Sequence, residues 1–264
     1  MNTTRTTTTV RTTTTAMTTA MTTATTMTMT AEGDGPSGRL AFLRLLQLAS
    51  PTLPIGAFAY SQGLEPAVGA GLVGDEDSAR AWILGLLAQT MTHVDLAVFV
   101  RLHAAAAAGD TATARRWNAH LLASRATAEL QAEDLHLGSA LARVLATLGL
   151  VPGAGDDREA PAAGPERTYA WMFAFAAARF GVGLRPALEA FAFNWAEAQT
   201  SAAVRLVPLG QSAGLRILSA AIEAIPSAVD RALALVDDEI GAAAPRLALL
   251  STAHEVQYSR LFRS

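Results

Sequence analysis

An all-α fold, a single domain of about ten helices behind an N-terminal tail, is predicted by three features of this 264-residue chain. From Arg39 onward alanine and leucine dominate and β-branched residues are scarce, which favours helix. Apolar residues recur at alternating three- and four-residue spacing. Leu188, Phe191, Trp195, Ala198 and Ala202 make one such stripe, and Leu130, Leu137, Leu141, Val144 and Leu148 another. No stretch alternates apolar and polar residues for long enough to found a sheet, and no repeat of fixed period is present.

Residues 1–38 are mostly Thr with scattered Met and Ala. They lack the apolar periodicity that would offset the entropy of ordering the chain, so a disordered tail is expected. The helical domain then runs over 39–264, with helices expected near 40–49, 61–71, 77–93, 95–108, 111–123, 127–149, 166–180, 185–205, 211–225 and 227–241. Pro152, Gly153, Gly155, Pro161, Gly164 and Pro165 break any helix across 151–165, which reads as an exposed loop joining two helical halves.

Composition removes several functions. Hydrophobic residues make up 51% of the chain, enough for a sizeable core. With no Cys there is no disulfide framework, thiolate metal site or Cys nucleophile. The 20 basic residues are all Arg and are outnumbered by 23 acidic ones, a net charge of -3 without the basic excess of a nucleic-acid binder. Without Lys there is no Walker A loop, so the chain is not itself a P-loop GTPase. Apolar runs such as Thr168 to Ala178 fall short of the roughly 20 residues that cross a bilayer. The polar, Thr-rich start does not resemble a secretory signal, so a cytoplasmic protein with no membrane contact is expected.

Several motifs have the form of chemical sites. Gly33, Gly35 and Gly38 spell GxGxxG, but a Thr tail precedes them where a dinucleotide site needs a strand, and a flexible linker is the better reading. Gly210 to Gly214 spell GxSxG around Ser212, followed by Asp237 or Asp238 and then His254, the chain order of an α/β-hydrolase triad. A serine hydrolase is therefore the alternative function, against which stands the helical character of everything upstream. Glu133 and His136 form ExxH with Glu129 one turn earlier. A diiron bundle would need a second ExxH, so an ion-paired or solvated face is expected. His93, His103 and His120 lack ligand spacing and read as packing residues. Tyr169, Trp171, Phe173 and Phe175 read as core.

Three segments carry the assignment. In Leu45 to Glu65, Pro51 and Pro54 stop the first helix, Gly56 permits a tight reversal, and Ser61 can cap the next helix with Glu65 in its first turn. That corner is expected to expose Phe58 and Tyr60. The second segment is Ala203 to Gly214, with Pro208, Gly210 and Gln211 at a helix-entry turn. The third is His254 to Ser264, where Tyr258, Arg260, Phe262 and Arg263 concentrate the side chains enriched at interface hot spots, so ordering on a partner is expected.

Together these blocks, LLQLASPTLPIGAFAYSQGLE first among them, resemble the urease accessory protein F family over Leu40 to Ser264. Departures are Ala126 and Gln131, where that family usually carries charged residues, and the Thr-rich tail. The resemblance implies a helical, dimerising, non-catalytic scaffold that binds accessory protein D (also called H), recruits the nickel-binding GTPase accessory protein G, and helps pass nickel to apo-urease. No cofactor would be bound stably, nickel being handled by the complex. Partner contacts would fall on Phe58, Tyr60, Ser61, Gln62, Glu65, Pro208, Gly210, Gln211, His254, Glu255, Tyr258, Arg260, Leu261, Phe262 and Arg263.

Overall fold

A computed structural model describes residues 36–150 and 166–264, together with Met1. Of the expected tail over 1–38, residues 2–35, with Gly33 and Gly35, lie outside the described residues, as does the expected loop over 151–165. Among those described the chain is helical and no strand occurs.

Helix α1, Pro36–Leu48, begins earlier than the expected residue 40, taking in Gly38, which the linker reading had left outside. It ends before Pro51, as the prolines require. Gly56 (φ 79°) makes the expected reversal into a 3-10 turn, Ala57–Ala59. Helix α2 is confined to Leu64–Gly69 because Gln62 (φ 48°) and Gly63 (φ 78°) are left-handed and cannot belong to a helix.

Helix α3, Glu76–Leu86, opens on a capping box between Asp75 and Ser78. It does not stop near residue 93 as expected. It widens into a π-helical stretch, Leu87–Leu96, and continues as α4, Ala97–Ala108. No Gly or Pro interrupts this stretch, and Thr92 Oγ1 donates to the Leu87 carbonyl five residues back (2.7 Å), serving the wider turn. The joined helix Glu76–Ala108 is long and apolar enough to cross a membrane by length and composition alone, as is Gln211–Ala234. In the first, 61% of the apolar window is buried inside the bundle, which accounts for its character.

Helices α5 (Thr111–Ala123), α6 (Ala128–Thr147) and α7 (Tyr169–Arg179) are each capped by a side chain: Asp110, Thr127 and Thr168 accept from the backbone N–H three residues on. Helix α8 is Leu184–Leu206. Helix α9, Gln211–Ala234, replaces two expected helices by running through Pro226. That proline is exposed, so the carbonyl it leaves unbonded can turn to water. Helix α10, Pro245–Glu255, was not expected, because its sequence has almost no apolar periodicity.

The core centres on α4, α7 and α8. Phe99, Phe173 and Phe191, one from each, are buried with ring centroids 5.0 to 6.0 Å apart. Trp171 and Phe175 are buried beside them, as expected, while Tyr169 is half-buried at the edge. His103 is also a core residue. Its Nε2 lies 3.0 Å from the Val182 carbonyl, and burial pushes its pKa down.

Candidate functional site

The corner over 57–65 is built around Gln62, the non-glycine residue with positive φ among the described ones. Such a conformation costs on the order of 1 kcal/mol or more and persists where surroundings over-determine it. Here both ends of the Gln62 amide are held: Nε2 donates to Glu133 Oε1 (2.6 Å) and Oε1 accepts from Trp195 Nε1 (2.7 Å). The corner is thereby tied to α6 and α8.

Onto this corner the carboxy-terminal strap, residues 256–264, folds back. The backbone N–H groups of Leu261 and Phe262 donate to the two oxygens of Glu65 (2.7 and 2.8 Å), and Gln257 Nε2 reaches Oε1 at 3.2 Å. Arg263 N donates to the Ala59 carbonyl (2.8 Å). The Ser264 carbonyl accepts from both the N–H (3.0 Å) and the hydroxyl (2.5 Å) of Ser61, whose oxygen also accepts from Glu65 N. Ser61 therefore serves the start of α2 as expected, although Gly63 occupies the cap position. Ser264 Oγ donates to Glu133 Oε2 (2.6 Å). The ring of Phe262, 3% exposed, is packed beneath Arg205, whose guanidinium carbon lies 4.5 Å from the ring centre and whose Nη1 holds the Phe58 carbonyl (2.9 Å).

Helix α10 delivers His254 into the same cluster, fully buried, with Nδ1 2.6 Å from Glu129 Oε2 and Nε2 3.5 Å from Glu65 Oε2. Glu129 Oε1 also receives Arg260 Nη1 (2.6 Å). Glu133 is buried, and burial pushes its carboxyl up to about 7 against the opposing hydrogen bonds from Ser264 and Gln62.

Beneath the loop over 48–58 lies a cavity of about 500 Å³ whose lining includes Gln62, Glu133 and Gln199. At its edge Arg125 bridges Asp95 of the π-helical stretch (2.5 Å) and Asp134 of α6 (2.6 Å). Burial holds the Asp134 carboxyl above its usual range, against the opposing pull of the Arg125 guanidinium.

Several expectations change here. Tyr60 is buried rather than exposed, with its hydroxyl 3.2 Å from His136 Nδ1, whereas Phe58 is 70% exposed as expected. Among the described residues Glu129, Glu133 and His136 form no shared ligand set: Glu129 is ion-paired with Arg260 and bonded to His254, as the ion-paired reading expects, the exposed His136 meets the Tyr60 hydroxyl, and only Glu133 departs from that reading, buried against Ser264 and Gln62. The strap orders on its own chain, through Phe262 and Ser264, while Tyr258 and Leu261 stay exposed and Glu255 faces solvent. Pro208, Gly210 and Gln211 lie exposed at the α8–α9 turn and none of them joins the cluster, to which that block contributes Arg205 over the Phe262 ring and the buried Ala203 and Val207 in the same apolar patch as Phe262.

The hydrolase alternative fails on geometry. Ser212 is an exposed residue in the first turn of α9 with no strand before it, His254 faces two glutamates, and Asp237 is held by Arg101 at 2.9 Å. Sequence reasoning missed Arg125 and Arg205, placed Trp195 only on a buried stripe, and read Glu129 and Glu133 as an ion-paired or solvated face rather than as the groups that hold His254, Arg260 and Ser264. Carboxylates one turn apart are ordinary on solvated helices, so the ExxH pattern that marks Glu129 and Glu133 does not reveal their partners. The Arg205 contact to Phe58 spans 147 positions.

The sequence pattern of the UreF family matches residues 73–222. The chain is 46% identical over 225 residues to the urease accessory protein UreF of Alkalilimnicola ehrlichii, covering 85% of this chain and 96% of that one. It is 47% identical over 231 residues to the UreF of Methylibium petroleiphilum, covering 87% and 96%. With the UreF of Chromohalobacter salexigens it shares 44% over 236 residues, covering 89% and 100%. The chain belongs to the UreF family. UreF proteins are urease accessory proteins, not enzymes. In this UreF chain the corner, Arg205 and the strap form one continuous assembly, although the family pattern itself stops short of the corner and the strap.

Proposed function

We propose that this chain is a non-catalytic scaffold in urease maturation. It bridges accessory protein D/H and the nickel-binding GTPase accessory protein G, and modulates GTP-dependent nickel delivery to apo-urease. It works in the cytoplasm as a homodimer, with nickel handled by the assembled complex rather than by a cofactor of its own. Family membership supports the setting. The single observation that carries the docking role is the surface of the corner and strap. Phe58 (70%), Val256 (85%), Tyr258 (105%) and Leu261 (56%) stand exposed on a backbone fixed from beneath by Glu65, Glu133 and Ser61. Exposed aromatic and aliphatic side chains on a pre-ordered backbone bind with little further loss of entropy.

Deleting Arg260 to Ser264 is expected to abolish both pull-down of the D/H partner and urease activation while helical circular dichroism persists. Because that deletion also removes the buried Phe262, the paired substitution Tyr258→Ala and Leu261→Ala tests the exposed surface alone, with the same expected outcome. Undiminished activation by both variants would overturn the assignment.

A further inference from the structure

Helix α1 has two apolar faces. One packs on the bundle through the buried Leu48. The other turns Leu40, Phe42, Leu43 and Leu46 outward, each 52% to 59% exposed, which is unusual for the solvent side of a helix. With the loop after α1 and the end of α6 this face bounds a groove of about 550 Å³, lined by Leu43, Leu46, Leu53, Pro54, Val144 and Leu148. None of these residues belongs to the corner and strap cluster.

Among the described residues the charge around the groove has one sign. Helix α1 carries Arg39 and Arg44 and no carboxylate, and α6 beyond Asp134 carries only Arg143. Helix α7 also lacks acids, carries Arg179 at its end, and meets α1 where Arg44 lies 5.1 Å over the Phe180 ring. Among the described residues no ion pair engages Arg39, Arg143 or Arg179. In a chain of net charge -3 this is a local reversal that selects its occupant.

We propose that this groove docks an amphipathic helix of a protein partner whose polar edges are acidic, the partner being a component of the urease maturation assembly. That last identification rests on the function proposed above. The shape favours a helix: an apolar ridge with anchors at i, i+3 or i+4 and i+7 fills a concave strip between two elements, and its flanking carboxylates meet the arginine rim. A bilayer surface would favour a convex apolar face instead. A second copy paired symmetrically would set arginine rims against each other.

The experiment measures binding of the full chain to each purified accessory protein and to apo-urease, at low and raised salt. Leu43→Glu with Leu46→Glu, and separately Arg39→Glu with Arg143→Glu, are each expected to weaken one of these complexes by about tenfold or more with circular dichroism unchanged. Wild-type affinity for that component falls with salt, and the arginine pair loses most of that dependence. If the wild type binds no component, the maturation reading itself fails. If it binds and both variants bind within about twofold of it, the groove proposal alone fails. Sedimentation of the chain with phosphatidylglycerol vesicles that the substitutions abolish, or a change in self-association of the chain alone, would overturn it in favour of a bilayer or a second copy.

Discussion

The aromatic core and the corner–strap cluster are both buried, yet they are held by opposite means. Around Phe99, Phe173 and Phe191 the contacts are apolar, non-directional and indifferent to pH. Around Glu65, Glu129 and Glu133 nearly every contact is a directed hydrogen bond to a carboxylate, made by segments up to 197 positions apart. The first arrangement gives stability that tolerates repacking. The second gives one defined geometry, and leaves buried acceptors behind if a partner is lost. A docking surface that must be pre-ordered without being welded to the core is well served by the second.

The largest expected effect lies in the core. Phe173→Ala should cost about 3–5 kcal/mol of global stability, measured by denaturant unfolding. The loss should be the same at pH 5 and pH 8, and a pH-dependent loss would break the contrast between the two regions. Next comes Glu65→Ala, which takes the acceptors from two strap N–H groups and should cost about 2–3 kcal/mol. Its signature is local: limited proteolysis should cut within the strap while the helices stay protected. Protection of the strap equal to wild type would mean that Phe262 packing alone holds it.

The smallest effect at pH 5 concerns Glu133, and its sign follows from linkage. Its carboxyl is raised in the folded protein from the usual 4.5 to about 7. Between those values the native state binds a proton that the unfolded chain has released. Its contribution to stability is therefore full below about 4.5, declines as pH rises, and levels off above about 7. Glu133→Gln, already neutral, should change stability at pH 5 by about 1 kcal/mol or less and flatten the decline between pH 5 and 8, followed by thermal melting. A wild-type slope retained in the variant would assign the proton to another group.

How much of this was legible beforehand differs by element. Helices such as α6 and α8 were readable because their buried faces repeat within one window, and α7 because its aromatics sit among small residues. The join of α3 to α4 was not, since no residue type marks a π-helical stretch, within which Asp95 meets Arg125 from thirty positions away. Helix α10 was invisible for the opposite reason: it carries too little periodicity, and its place is set by Ser251 bonding to Thr127 (2.7 Å) and His254 to Glu129. At the site, the corner turn and the importance of the terminal block could be read from residues, but their mutual contact could not.

The sequence by itself determined the helical class, the turn forced by Pro51, Pro54 and Gly56, the absence of thiol and P-loop chemistry, and the family, because propensity, breakers and motif blocks are local properties. Only the tertiary structure decided that Tyr60 faces inward, that Glu65 and Glu133 clasp the strap, and that His254 answers to carboxylates rather than to Ser212. Those outcomes depend on which distant donor reaches a buried acceptor. That is a matter of packing, since an unpaired polar group out of water is too costly to leave and any segment within reach can satisfy it.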